Sequence, residues 1–484
     1  MDRHNMLELT LNEILHVVNP LREDLETRMQ IIDGLRDAIS TVDSLRGATV
    51  EPFGSFVSQL FTRWGDLDIS IELSNGSYIA VAARKLKQTL LGDVLKALRR
   101  TGTFRRLQSV SHARVPILKL ESKYQNISCD ISINNISGKM KSKFLLWISL
   151  IDRRFRDMVL LVKEWAKANN INSSKTGTFN SYSLSLLIIF HFQTCLPAIL
   201  PPLKDLYPGN MADELIGIRA DVEGRIEEVS LSNIAKFRKE RRVNRSSLSE
   251  LFTSFLAKFS DISTRATEQG ISTYTGRWED IHSTTRWLPK TYAIFIEDPF
   301  EQPENTARAV TTNQLARISE VFTNTYHRIV APNQTRNTLI PALVRYEISQ
   351  FFPGVAFGTS TTYGGAYSRA NQNVRNNSSN YYATQSQHRF QRTRQPSHPN
   401  NMTPQKARQV FQGQALTKNQ QSPKSNPRNR PRVTRETAMP SEGQAQKPPH
   451  TLKPGQVSNV ASQQPVQATP RQPQQVWRPK QSDN

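Results

Sequence analysis

Residues 66–73, DLDISIEL, alternate strictly between polar and apolar side chains. A strand with that period buries one face and leaves the other polar. Leu67, Ile69, Ile71 and Leu73 form the apolar face, and Asp66, Asp68, Ser70 and Glu72 the polar one. A second segment, NISCDISI at 126–133, repeats the pattern. Its apolar face is Ile127, Cys129, Ile131 and Ile133, and its polar face Ser128, Asp130 and Ser132. If both strands share a sheet, Asp66, Asp68 and Asp130 project from one side and the other side rests on helices.

The flanking sequence supplies those layers. Residues 1–46 read as two helices, the second with Leu21, Leu25, Met29, Ile32, Leu35 and Ile39 at steps of three and four. ATVEPF and RVPILKL add short strands, and KLKQTLLGDVLKALRRTG reads as an amphipathic helix. From about 141 to 330 the chain reads as mainly helical. FRDMVLLVKEWAKANN and NSYSLSLLIIFHFQTCL are its clearest helices, the second apolar nearly all round and therefore buried. The run AIFIEDPFEQPENTARAV reads as a short apolar run, a turn and a helix start. After residue 353 Gln, Asn, Pro, Ser and Arg dominate without apolar periodicity. Such a segment cannot bury enough apolar surface to offset its chain entropy, and disorder is expected.

Charge separates these regions. The formal net charge of +22 suggests a polyanionic partner. Residues 361–484 hold 18 Lys and Arg against 3 Asp and Glu, whereas residues 1–360 hold 45 against 38. Most of the surplus lies in the tail. The two cysteines, Cys129 and Cys195, sit in apolar runs and read as buried thiols in a reducing compartment. Neither offers zinc-site spacing. No signal peptide is expected from MDRHNMLELTLNEILHVV, and no apolar run reaches the roughly 18 residues of a membrane span.

Converging carboxylates repel one another unless cations lie between them. Oxygen ligands suit Mg²⁺ or Mn²⁺, and two such ions about 3.5–4 Å apart suit in-line attack at phosphorus. A bare D-x-D on its own reads rather as two aspartates on a solvent-facing edge strand. Gly54 and Ser55 follow a strand and precede FVSQLF, a short helix start. A glycine there lets backbone N–H groups point at a phosphate, and a serine hydroxyl adds a donor. Alone, Gly-Ser is also an ordinary turn; in sequence with D-x-D the pattern is much more specific. DLDIS also approaches the D-x-D-x-[TV] of haloacid-dehalogenase-type phosphatases, but FTRWG ahead of Asp66 is not their hydrophobic strand.

At Gly54, Ser55, Asp66, Asp68 and Asp130 the chain resembles the polymerase-β-like nucleotidyltransferases. RGATVEPFGSFVSQLFTRWGDLDISIEL, DMVLLVKEWAKANNIN, TGTFNSYSLSLL and EDPFEQPENTAR carry the likeness in order. Within that family the chain is similar to the RNA-tailing enzymes, the terminal uridylyltransferases and poly(A) polymerase relatives, and among these to plant enzymes that tail unmethylated small RNAs. The resemblance implies an α/β catalytic domain of mixed sheet and helices at 47–140. A mainly helical PAP-associated domain follows at 141–330, with N-terminal helices at 1–46 packing on it, and a disordered basic tail spans 353–484.

It also implies roles. Asp66, Asp68 and Asp130 would hold two Mg²⁺ or Mn²⁺ ions, with Asp130 helping to deprotonate the RNA 3′-hydroxyl. Gly54 and Ser55 would hold the triphosphate. Lys163 and Lys167, one helical turn apart, would neutralise departing pyrophosphate; by spacing alone they are a solvated pair. Ser181 would contact phosphate and Tyr182 would stack on the base, although by itself Tyr182 also reads as a core tyrosine. Asp298 and Glu301 would lie near the base. Two positions depart from the family. Several uridylyltransferases have a His where this chain has Glu304, and the position often associated with the ribose is Lys141 rather than Asn.

The implied activity is template-independent addition of U from UTP to the 3′ ends of unmethylated small RNAs, leading to their decay, with a terminal 2′-O-methyl blocking the reaction. An adenylyltransferase using ATP and a catalytically dead RNA-binding scaffold are the competing readings. No separate RNA-binding domain is visible. The tail is expected to dock an Argonaute as a small-RNA carrier. The run KSNPRNRPR at 424–432 suits nuclear import, so nucleus and cytoplasm are the expected compartments.

Overall fold

The computed structural model describes residues 3–74, 84–124, 126–215, 219–287 and 291–357. The expected disordered tail from residue 358 on, with the basic run at 424–432, lies outside the described residues.

Helices α1 (Arg3–Val18) and α2 (Arg22–Ser40) lead into strand β1 (Thr49–Phe53), the one-turn helix α3 (Gly54–Val57) and β2 (Leu67–Glu72). Helix α4 (Arg84–Thr101), then β3 (Phe104–Val110), β4 (Ile117–Ser122) and β5 (Ser128–Ile133), complete a five-stranded sheet of order β1-β2-β5-β4-β3. The central β2–β5 pair is parallel and the other pairs are antiparallel. Leu67, Ile69, Ile71, Cys129, Ile131 and Ile133 are fully buried with residues of α2 and α4, as the alternation requires. The strand β3 was not expected. Its Arg105, Arg106 and Gln108 carry no apolar period, and pairing with β4 rather than burial makes it a strand.

A mainly helical region follows. Helix α5 (Ile136–Ile151) leads into α6 (Arg153–Ala168), and α7 (Ser181–Gln193) comes next. Residues Ser183–Gln193 of α7 are all buried, so this helix is the axis around which the others pack. Within the region expected to be helical, a hairpin pairs Gln269–Ser272 with Arg277–Asp280. The helix start expected at the end of AIFIEDPFEQPENTARAV comes just beyond that run, at Thr312, capped by the Thr311 side chain, which accepts from the Gln314 N–H.

Four expectations need correction. The N-terminal helices do not act together: Leu7, Leu11, Ile14, Leu15 and Val18 of α1 join the helical core, whereas Ile31, Ile32, Leu35 and Ile39 of α2 join the core beneath the sheet. On α2 the buried stripe is rotated away from Leu21 and Met29, which are exposed, toward Arg28, which is fully buried. Arg28 donates to the carbonyls of Asp24, Arg63 and Gly65, so a long cation can fill a core position when its head finds carbonyl oxygens. Cys195 is half-buried rather than buried. Finally, the folded part passes residue 353: Val355 and Phe357 pack on the helical core.

Candidate active site

Asp68 and Asp130 are register partners on the parallel strands β2 and β5, and Asp66 lies one residue before β2 begins. The three carboxylates interact. Burial, then repulsion from Asp130 and Asp66, pushes the Asp68 carboxyl up to about 7. Asp66, open to solvent on one side, is also raised, first by its desolvating surroundings, with Lys167 opposing and Asp130 reinforcing.

Cations line this acidic patch. Lys163 is buried and donates to the Leu60 carbonyl at 2.8 Å. Burial, then Lys167, lowers it to about 8, against the pull of Asp68 and Asp66. Lys167 is lowered by burial and by Arg345, with Glu164 and Asp66 opposing. The i, i+4 step on α6 therefore aims both lysines at the aspartates. Lys119 was not singled out from sequence. It is the register partner of Asp130 on β4 and donates to both carboxylate oxygens, one at 2.6 Å. Its signal was legible: in ILKL it is the polar member between Ile117, Leu118 and Leu120.

The donor set fits hard divalent cations. It is oxygen only, and after burial the repulsion of neighbouring carboxylates, which a cation between them would relieve, helps to raise Asp66 and Asp68. Among the described residues no three His, Cys, Asp or Glu side chains form a ready ligand group, and Asp130 is neutralised by Lys119.

Gly54 plays a different part from the one expected. It adopts φ +67°, and a β-carbon there would stand 2.0 Å from Asp68 Oδ2. Its N–H donates to Ser142 Oγ at 2.7 Å, so this amide is already satisfied. The glycine makes room for Asp68. Ser55 follows it in α3, half-buried.

A second cluster gathers beside α5. Its first turns belong with the sheet as much as with the helices, so the expected boundary at 140 falls inside one helix. While Ser142 holds Gly54, the adjacent Lys141 donates to Asp298 Oδ2 at 2.5 Å, pairs with Glu301 at 3.1 Å and sits 5.4 Å from the Tyr182 ring centroid. The Tyr182 hydroxyl donates to Asp298 Oδ1 at 3.2 Å, and burial raises its pKa well above the ordinary value. Burial alone would raise Glu301, but Lys141, Ser137 and Arg114 pull it down to about 2. A cavity of about 470 Å³ opens here, lined by Arg114, Lys141, Tyr182, Asp298 and Glu304 among others. Neither Glu301 nor Ser181 lines it; Ser181 exchanges hydrogen bonds with Asn172. Arg114, from the loop before β4, bridges to Glu301 at 3.0 Å and Glu304 at 3.4 Å. No local pattern announces Arg114, because its partners lie almost two hundred residues away.

The family model for the central palm domain of the mitochondrial-like poly(A) RNA polymerases matches residues 7–149. Protein HESO1 of Arabidopsis thaliana is 48% identical over 513 residues, covering 99% of this chain and 99% of its own length. Poly(A) RNA polymerase cid11 of Schizosaccharomyces pombe is 25% identical over 352 residues, covering 72% of this chain and 68% of its own. A solved structure of a cytoplasmic RNA terminal U-transferase superposes with a TM-score of 0.55 at 22% identity, over 70% of this chain and 99% of that one. It supports the fold.

Proposed function

This chain belongs to the polymerase-β-like nucleotidyltransferases as a relative of the plant Protein HESO1, and from that premise we propose that it is a template-independent RNA uridylyltransferase. It adds U from UTP to the 3′ ends of unmethylated small RNAs and so commits them to decay. The observation that carries this is the Asp68–Asp130 register pair with Asp66 beside it, facing Lys163 and Lys167.

The RNA 3′-oxygen forms a bond to the α-phosphorus, the bond from that phosphorus to the bridging oxygen breaks, and pyrophosphate leaves. Asp66, Asp68 and Asp130 would hold Mg²⁺ or Mn²⁺, which supplies hydroxyl activation and neutralises developing charge. Asp130 accepts the hydroxyl proton. Its pairing with Lys119 keeps a cation at this carboxylate beforehand. Lys163 and Lys167 meet the charge that accumulates on pyrophosphate. Ser55 donates to the triphosphate, and Ser181 joins it by giving up its bond to Asn172. The base stacks on Tyr182, and stacking gives affinity with little choice among bases. Asp298 faces the base, while Glu301 acts through Lys141, which it orients.

Docking of an Argonaute through the tail, and residence in nucleus and cytoplasm, are further parts of this proposal. The tail's cationic composition supports them. Deleting residues 358–484 should abolish Argonaute capture and nuclear signal of a tagged chain; unchanged capture would remove the first, unchanged distribution the second.

The decisive experiment offers a 3′-hydroxyl RNA and a divalent cation with each of the four NTPs separately. UTP should extend it best, a 2′-O-methylated end should resist, and Asp66→Asn should abolish extension. Preferential use of ATP would replace uridylyl with adenylyl transfer, and unchanged extension by Asp66→Asn would remove the site.

A further inference from the structure

We propose that Arg114 and Glu304, as a salt-bridged pair, read the Watson–Crick edge of uracil in the pocket beside Tyr182. The inference rests on the uridylyl reading above.

Within the pocket most polar groups already have internal partners. Lys141 is engaged by Asp298 and Glu301. Asn180 donates to the Thr306 carbonyl and accepts from Ser183. Asn305 donates to the Ile294 carbonyl and accepts from the Ile296 and Ala307 N–H groups. Thr306 donates to the Ile296 carbonyl. None of these has much capacity left for a ligand.

Arg114 differs. A guanidinium has five N–H donors, and this one makes two ion contacts, to Glu301 and Glu304. Those contacts pin a half-exposed side chain at the pocket wall with donors to spare. Glu304 complements it. Oε2 takes both Arg114, at 3.4 Å, and Arg308, at 3.1 Å. Oε1 has no bond among the described residues. The pocket wall therefore offers a spare donor beside a spare acceptor. Lys175 and Arg308 also line the pocket; Lys175 is an ammonium on a flexible stem, and among the described residues Arg308 is pinned by an ion contact to Glu304, where Arg114 is pinned by two.

A donor beside an acceptor matches one polarity of base edge. Uracil presents O4, an acceptor, next to N3–H, a donor. Cytosine presents an amino donor next to a bare ring nitrogen, and adenine does the same. Either would set N–H against N–H and lone pair against carboxylate. Guanine has the polarity of uracil, so the pair does not separate those two.

The test is kcat/KM for UTP and for CTP, pyrimidines of the same size, in the full-length wild type, Arg114→Ala and Glu304→Ala. The wild type should prefer UTP, and each variant should lose about tenfold or more of the UTP-to-CTP ratio, the scale of one charge-assisted hydrogen bond. A purely structural link from Arg114 to Glu301 would slow both nucleotides alike and leave the ratio unmoved. That result, in a wild type that prefers UTP, overturns the inference and leaves the uridylyl reading standing. A wild type that prefers ATP overturns both. Should the variants not fold, the wild type is tested with pyrimidin-2-one ribonucleoside triphosphate, which lacks both O4 and N3–H. Use as efficient as that of UTP overturns the inference, and a loss of tenfold or more supports it.

Discussion

At Gly54 both space and backbone exclude a side chain: φ is +67°, and a β-carbon would meet Asp68 Oδ2 at 2.0 Å. Gly54→Ala should lower stability by about 1–3 kcal/mol and, by displacing Asp68, cut primer extension by roughly a hundredfold. A melting curve and an extension assay on the same preparation check this; wild-type extension would show that Asp68 tolerates the shift. Glu301 gives a pH dependence. Its folded pKa of about 2 lies below the ordinary 4.5, so its stabilisation is present above about pH 4.5 and is lost as pH falls toward 2. The span is on the order of 3 kcal/mol. Urea midpoints for wild type and Glu301→Gln should differ near about pH 6 and converge only as pH falls to about 2; a gap that persisted there would assign the effect to packing. The trio Asp66, Asp68 and Asp130 was legible because alternation places side chains on faces. Arg114 was not, because nothing in HARVP encodes a partner on a distant loop.

Helix α6 carries the proposed pyrophosphate lysines and a structural ion pair side by side. Lys163→Met should keep the fold and slow extension by about ten- to a hundredfold, since it removes a positive charge facing Asp66 and Asp68. The lost cation also raises those two carboxyls, so the acid limb of the pH–rate profile should move upward. A profile that kept its position would place Lys163 outside their electrostatic reach. Between the lysines, Glu164 is 1% exposed and is held by the Arg345 backbone N–H and guanidinium. Arg345→Ala strips that buried carboxylate of its guanidinium and leaves it the backbone N–H, a loss of about 3 kcal/mol, readable as a fall in urea midpoint. The lysine step was visible in LVKEWAK. The stripe on α2 was misjudged by part of a turn, because hydrophobicity alone rejects Arg28 as a core residue and three backbone carbonyls accept it.

Across the whole molecule the chain's ends carry different burdens. Val355 and Phe357 pack on the helical core, so a chain ending at residue 357 should melt like the full length, whereas one ending at 352 should melt several degrees lower, as expected from losing about 1–2 kcal/mol of apolar burial. Equal melting of the two would show that these residues add nothing. The sequence alone determined the sheet's two faces, the acidic trio, the nearly all-apolar helix and the division between mildly basic residues 1–360 and a strongly basic remainder. Each is a periodicity or a composition, and the chain's own geometry turns these into faces. Tertiary structure alone decided that α1 and α2 part company, that Lys119 answers Asp130, that Gly54 yields space rather than a donor, and that Arg114 meets Glu304 across the pocket. Those are meetings of residues far apart in the chain, set by how closed layers fit together, and no local spacing records them.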